Sequence, residues 1–216
     1  MADQDEAWLR QDIIDTALAM SRESLSPGTS GNVSARWKDG MLITPTGMAY
    51  NDLIPEDIVF IEKNGEPVEG ARKPSSEWQF HLSAYGAREE AQAIVHTHSR
   101  YATALACCRR RIPAFHYMVA VAGGKDIPLA DYATFGTAEL ADNVTETLKD
   151  RRACLMANHG VIACGANLAA ALDLAREVET LAAQYLAALQ VGEPHILDDA
   201  EMSRVLERFK TYGQQR

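Results

Sequence analysis

The chain reads as a layered α/β domain with a largely antiparallel sheet, and three observations predict it. Helical apolar stripes alternate with short strand-like runs along the 216 residues. Several of those runs are joined by tight hairpin signals, which only antiparallel neighbours can use. No linker, internal repeat or low-complexity stretch divides the sequence, so residues 1–216 are expected to form a single domain, long enough to bury a sizeable core.

Taken in order, residues 6–23 place Leu9, Ile13, Ala17 and Met20 on one helical stripe, and SPGTSGN ends it. VSARW and MLITPT follow as strands joined by KDG, and IVFIEKNGEPVEG reads as a second hairpin around Asn64–Gly65. SSEWQFHLSAYGARE is expected to become helical behind a Ser75–Ser76 cap and to stop near Gly86. AIVHTHS is a strand, YATALACC a short helix, and IPAFHYMVA a strand or extended segment. TAELADNVTETLKD is an amphipathic helix behind a Thr cap, and ACLMANHGVIAC two strands meeting at Asn158-His159-Gly160. Asn167 caps a long Ala-rich helix that Gly192 stops, and EMSRVLERFK forms the last helix.

Composition narrows the function. Apolar residues make up 47% and charged residues 24%, ordinary proportions for a globular chain. A net charge of -9 argues against nucleic acid or an anionic membrane as partner. An acidic protein can still hold an anion through a metal, a helix N-terminus or backbone amides. The N-terminal MADQDEAWLRQD is too acidic for a secretory leader, and no apolar run reaches the length of a membrane span, so a cytoplasmic location is expected. Cys107, Cys108, Cys154 and Cys164 contain no CxxC pair and read as reduced, mostly buried thiols.

The histidines carry the first chemical signal. His96 and His98 in AIVHTHS stand two apart at a strand end, so both side chains leave by the same face. A catalytic metal site uses three protein ligands and keeps one position open, and His159 is the candidate third, beside a Gly160 that gives the backbone freedom. His81, His116 and His195 stand alone and are read as ordinary hydrogen-bonded side chains. Glu77 and His81 are four apart on a helix, but an HExxH motif is absent.

Three loops supply the second. Gly28 to Asn32, Thr44 to Gly47 and Pro74 to Ser76 are rich in small donors, the last at a helix start whose dipole favours an anion. Each alone is ordinary turn chemistry; together they make an oxyanion site built without lysine. No GxxxxGK[ST] or GxGxxG is present, so a nucleotide is not indicated. Glu77, directly after the serines, reads on position alone as a first-turn carboxylate favoured by the helix dipole. It would titrate beside the loops and a metal only where the fold brings the two together.

Together the segments GTSGNVSAR, MLITPTGMAYNDL, KPSSEWQFHLSAY, AIVHTHSRYATALA, IPAFHYMVAVAGG, YATFGT, NHGVIAC and FKTYG resemble the class II aldolase family, which includes adducin head domains and sugar-phosphate 4-epimerases. The resemblance runs along nearly the whole chain and is closest to the L-fuculose-1-phosphate aldolases. It implies an α/β/α fold around a central, mainly antiparallel sheet, and a homotetramer with active sites between subunits. It implies one divalent ion per subunit, zinc first and cobalt or manganese as alternatives, on His96, His98 and His159, with Glu77 as a ligand that also transfers protons. By the same matching, Thr29, Asn32, Thr46, Gly47, Ser75 and Ser76 hold the phosphate of dihydroxyacetone phosphate. Tyr117 is implied as an acid reaching a neighbouring subunit's site, and Phe135 and Tyr212 as borders of the aldehyde pocket.

The residue types suit that chemistry. A metal chelated by the substrate's oxygens stabilises an enediolate without a Schiff base. None of the six lysines reads as a buried nucleophile. The expected reaction is cleavage of a ketose 1-phosphate to dihydroxyacetone phosphate and a small aldehyde. Within the fold, 5-deoxyribulose or 5-methylthioribulose 1-phosphate is the alternative substrate, and Arg100, Tyr101 and Asn158 are placed where they could alter preference. A 4-epimerase or a metal-free adducin-like binding module are the remaining readings.

Overall fold

In the computed structural model, which describes residues 2–65 and 72–211, one seven-stranded sheet runs through the molecule in the order β3-β2-β1-β4-β7-β6-β5. The strands are β1 (Asn32–Trp37), β2 (Gly40–Ile43), β3 (Val59–Glu62), β4 (Ala93–Thr97), β5 (Leu129–Ala130), β6 (Ala153–Met156) and β7 (Gly160–Gly165). Every pairing is antiparallel except β5 with β6. The helices are α1 (Ala2–Arg22), α2 (Trp78–Ala87), α3 (Arg100–Cys107), α4 (Ala138–Leu148), α5 (Leu168–Val191) and α6 (Asp199–Phe209).

Strand alternation sorts the helices into two layers. Val33, Val95, Leu155 and Val161 point to one side and pack with Ile13, Leu105, Leu172 and Val178 of α1, α3 and α5. Met41, Ile94, Met156 and Ile162 point to the other and pack with Phe80 and Ala84 of α2 and Leu140 and Val144 of α4. The architecture is the expected α/β/α, with a mixed sheet that antiparallel pairing dominates. Both faces of β4 are covered, which explains its unbroken burial.

Local signals decide most boundaries. Thr137 accepts from the Leu140 amide at 3.3 Å and Asn167 from the Ala170 amide at 2.8 Å, the expected caps of α4 and α5. Three expectations need correction. Helix α2 opens one residue later than a Ser75–Ser76 cap predicts: Glu77 holds the cap position, and Ser75 Oγ accepts from the Glu77 amide at 3.3 Å. IPAFHYMVA is neither strand nor uniformly extended. Ile112 bridges Ile127, and Tyr117–Ala122 winds into a 3-10 helix packed by α5 and α6, so tertiary contact overrides β-branched propensity. Cys154 and Cys164 are buried but Cys107 and Cys108 are exposed at the end of α3. The two-residue β5 had no periodic signal to announce it. The return arm of the hairpin after Asn64–Gly65 lies outside the described residues.

Candidate metal centre and its cleft

His96 belongs to the face of β4 that looks toward α2 and α4, paired in register with Asn32 of β1 and Ile162 of β7. It is fully buried, and its Nδ1 donates to the Val161 carbonyl at 2.8 Å. That bond fixes the tautomer and turns the Nε2 lone pair inward, as in a ligating imidazole oriented by its second nitrogen. His98 follows two residues on, just past the strand, and its Nε2 meets His96 Nε2 at 2.9 Å.

His159 arrives from the turn between β6 and β7. The backbone freedom expected of Gly160 is used instead by Asn158, which takes φ 54°. Gly160 is needed for another reason: a Cβ there would stand 2.2 Å from the Thr97 carbonyl oxygen and 3.0 Å from the His98 ring. The absent side chain lets the turn close onto the end of β4 and brings the third ring to the pair.

Glu77, 5% exposed, completes the group. Its Oε2 lies 3.2 Å from His96 Nε2, and its Oε1 lies 2.8 Å from His159 Nε2. The potential ligand atoms of Glu77, His96, His98 and His159 all fall within 4.8 Å of one another. Burial by itself would push the Glu77 carboxyl up, but the charges and hydrogen bonds of His96 and His159 hold it below the usual carboxylate range. Burial, then the neighbouring His96 and His159, pushes His98 down to about 3 against the opposing pull of Glu77. A neutral His98 ring beside an ionised carboxylate is the protonation state that metal ligation demands. Two ring nitrogens facing each other at 2.9 Å can share only one proton. The donor set therefore fits a divalent cation at its centre, and three imidazoles with a carboxylate suit a zinc-type ion.

The cluster forms the floor of a cleft of about 320 Å³. Thr29, Asn32, Thr46, Gly47, Ser75 and Ser76 line it, with Phe135 at the mouth. Gly47 adopts φ 69°, which a side chain would resist, and keeps that wall thin. No Lys or Arg is among the lining residues, so an anion here would meet hydroxyls, amides, the N-terminus of α2 and whatever cation the floor holds.

The structure does not bring every candidate to this place. Tyr117, 51% exposed on its 3-10 helix, is not part of the lining, and Tyr212 lies outside the described residues. His116 caps that 3-10 helix by accepting from the Met118 amide, and His195 is exposed. Two features escaped the sequence reading. Tyr132 lines the cleft beside Phe135 and carries the Arg109 guanidinium 5.7 Å over its ring. His81, taken as an ordinary side chain, bonds through Nε2 to Asn32 Oδ1 at 2.5 Å, and Asn32 Nδ2 donates to Glu77 at 2.8 Å. The spacing of Glu77 and His81 was the available signal.

Known proteins resemble this chain over most of its length. Residues 11–186 match the family described as Class II Aldolase and Adducin N-terminal domain. An L-fuculose phosphate aldolase of Escherichia coli is 54% identical over 206 residues, covering 95% of both chains. A 5-methylthioribulose-1-phosphate/5-deoxyribulose-1-phosphate aldolase of Rhodospirillum rubrum is 55% identical over 205 residues, covering 95% of this chain and 92% of its own. A solved L-fuculose 1-phosphate aldolase superposes with a TM-score of 0.90 at 45% identity, covering 94% of this chain and 96% of that one. With its sheet, its Glu/His cluster and a match spanning most of its length, this chain belongs to the class II aldolase and adducin N-terminal domain family.

Proposed function

We propose that the protein is a metal-dependent aldolase that cleaves a ketose 1-phosphate to dihydroxyacetone phosphate and a small aldehyde, with an L-fuculose 1-phosphate-like substrate as the first reading. One observation carries it: His96, His98, His159 and Glu77 converge on one point at the floor of a cleft whose rim is hydroxyls and amides. A zinc ion held by these four residues would act as a Lewis acid on the substrate's ketone and hydroxyl oxygens and stabilise the charge left when the carbon–carbon bond breaks.

The chain's own groups do the rest. Thr29, Thr46, Gly47, Ser75 and Ser76 hold the phosphate, with one N–H of Asn32 available beside them. Ser75 accepts from the Glu77 amide, so its hydroxyl proton is free to point at a phosphate oxygen. Glu77 takes a proton from C3 of dihydroxyacetone phosphate in synthesis and returns it there in cleavage. Tyr117 gives a proton to the aldehyde oxygen in synthesis and receives it back in cleavage. Its own cleft lies elsewhere, so the hydroxyl would act in a neighbouring subunit of a homotetramer. Tyr132 and Phe135 present aromatic surface at the mouth, which suits an aldehyde ending in a methyl or thioether group. Tyr212 is proposed as a further border of that pocket. Two exposed free thiols fit a reducing compartment such as the cytoplasm. No helix among the described residues is long and apolar enough to cross a membrane.

The near-equal identities to the Escherichia coli and Rhodospirillum rubrum relatives keep 5-methylthioribulose and 5-deoxyribulose 1-phosphates as a second reading of the aldehyde arm. Elemental analysis of purified protein, followed by a coupled assay of dihydroxyacetone phosphate release from a panel of ketose 1-phosphates, tests both. Stoichiometric metal with release from at least one substrate is expected. A protein without metal would be a binding module, and a metal-loaded protein releasing nothing from any of them would overturn the aldolase reading.

A further inference from the structure

Glu77, His81 and Tyr85 recur four residues apart, from the cap of α2 along its length, while Asn32 and Ser34 stand two apart on β1. The two rows face each other between α2 and the sheet, and their side chains interleave into one chain. The Tyr85 hydroxyl meets Ser34 Oγ at 2.9 Å, and Ser34 Oγ meets His81 Nδ1 at 2.8 Å. His81 Nε2 meets Asn32 Oδ1 at 2.5 Å, and Asn32 Nδ2 meets Glu77 Oε2 at 2.8 Å. All five residues are buried, with Ser34 and His81 at 0% exposure.

The chain has a single direction. An ionised carboxylate can only accept, so Asn32 must turn its amide N–H toward Glu77. Its carbonyl then faces His81, which must carry its proton on Nε2. Nδ1 is left as an acceptor, so Ser34 donates to it and in turn accepts from Tyr85. Reversing the chain as a whole would press the Asn32 carbonyl against the Glu77 carboxylate. The far end is pinned as well: the Arg36 guanidinium lies 4.7 Å over the Tyr85 ring and donates to the Tyr85 and Ala91 carbonyls at 2.6 Å each.

We propose that His81, Ser34 and Tyr85 are positioning residues that lock the Asn32 amide and, through it, hold the Glu77 carboxylate turned into the cleft between His96 and His159. The proposal deepens the aldolase reading and rests on Glu77 being its proton carrier. A carboxylate that exchanges partners during turnover needs one donor that stays in place. Asn32 can be that donor only while its amide is prevented from rotating by half a turn, and the buried row behind it supplies the restraint.

Two measurements test it. In metal-free protein labelled with ¹⁵N-histidine, the His81 signals are expected to be those of a neutral ring protonated on Nε2. A ring protonated on Nδ1 would overturn the direction of the chain, and this result does not depend on activity. In metal-loaded enzyme, Ser34→Ala and His81→Phe are expected to lower kcat about tenfold while KM and metal content stay within about twofold, because one fixed hydrogen bond to a charged group is lost. Tyr85→Phe, one link further away, should lower kcat less. Unchanged kcat in the folded variants would overturn the positioning role, as would KM rising in step with any loss of kcat. Should His81→Phe fail to fold, the tautomer measurement and Tyr85→Phe still decide. If no ketose 1-phosphate is cleaved at all, the aldolase reading falls, while the tautomer still reports on the chain.

Discussion

The floor and the rim of the cleft are built by opposite means. At the floor, Glu77 and His96 are at most 5% exposed, and each has hydrogen bonds to fixed partners on neighbouring elements. At the rim, Thr29, Thr46, Gly47 and Ser76 are exposed and stand on loops, and no Lys or Arg lines the cleft to hold an anion. The binding energy must therefore come from different sources at the two levels. The floor is organised before any ligand arrives, so a substitution there removes a unit. The rim offers several separate weak donors, so a substitution there removes one contact among many.

The sharpest way to break that contrast is at the floor. His159→Ala is expected to abolish both stoichiometric metal and cleavage, since only two imidazoles are then left to hold the ion while Glu77 is engaged in proton transfer; elemental analysis with the coupled assay reads both. Full metal retention would remove His159 from the ligand set.

Glu77→Gln should separate binding from chemistry. The three imidazoles still hold the ion, but the amide cannot exchange a proton, and turnover should fall by about 10²–10⁴-fold. Near-normal turnover would refute the role. Mixed with Tyr117→Phe protein and reassembled, it should regain part of the lost activity if the two residues serve a shared site across subunits. Demonstrably mixed assemblies that gain nothing, with Tyr117→Phe inactive alone, would return Tyr117 to its own subunit.

At the rim, Ser76→Ala and Thr46→Ala should each weaken a phosphorylated ketose about tenfold, as loss of a hydrogen bond to a charged group predicts, and affect an unphosphorylated ketose far less. Equal losses with both would mean that the rim shapes the floor after all.

The last expectation is a slope in stability, read without any assay of activity. Burial first, then the charge of His96, pushes His81 from its usual 6.5 down to about 3, with Glu77 opposing. The ring stays neutral in the folded protein while the unfolded chain protonates below pH 6.5. Its contribution is therefore present above 6.5 and lost as pH falls toward 3, at about 1.4 kcal/mol per pH unit. Urea unfolding of metal-free protein across that range should show a shallower fall for His81→Phe than for the unaltered chain. Parallel curves would mean that His81 is solvated in the folded state.

Much of this molecule was legible in one dimension. Helical stripes, the Thr137 and Asn167 caps and the KDG hairpin act within a few residues, so α1, α4, α5 and the β1–β2 pair could be read directly from the chain. The strand period placed His96 and His98 on one face for the same reason. Residue chemistry offered His159, Glu77 and the hydroxyl loops as separate candidates, and the likeness of whole segments to a known family joined them into one site. Tertiary structure decided what depends on distant partners. Packing by α5 and α6 wound Tyr117–Ala122 into a 3-10 helix, and the close approach of Gly160 to Thr97 brought His159 beside His98. It also turned His81 from an ordinary histidine into a link between Ser34 and Asn32, because a side chain's hydrogen-bond partners are set by the elements packed against it and not by its neighbours in sequence.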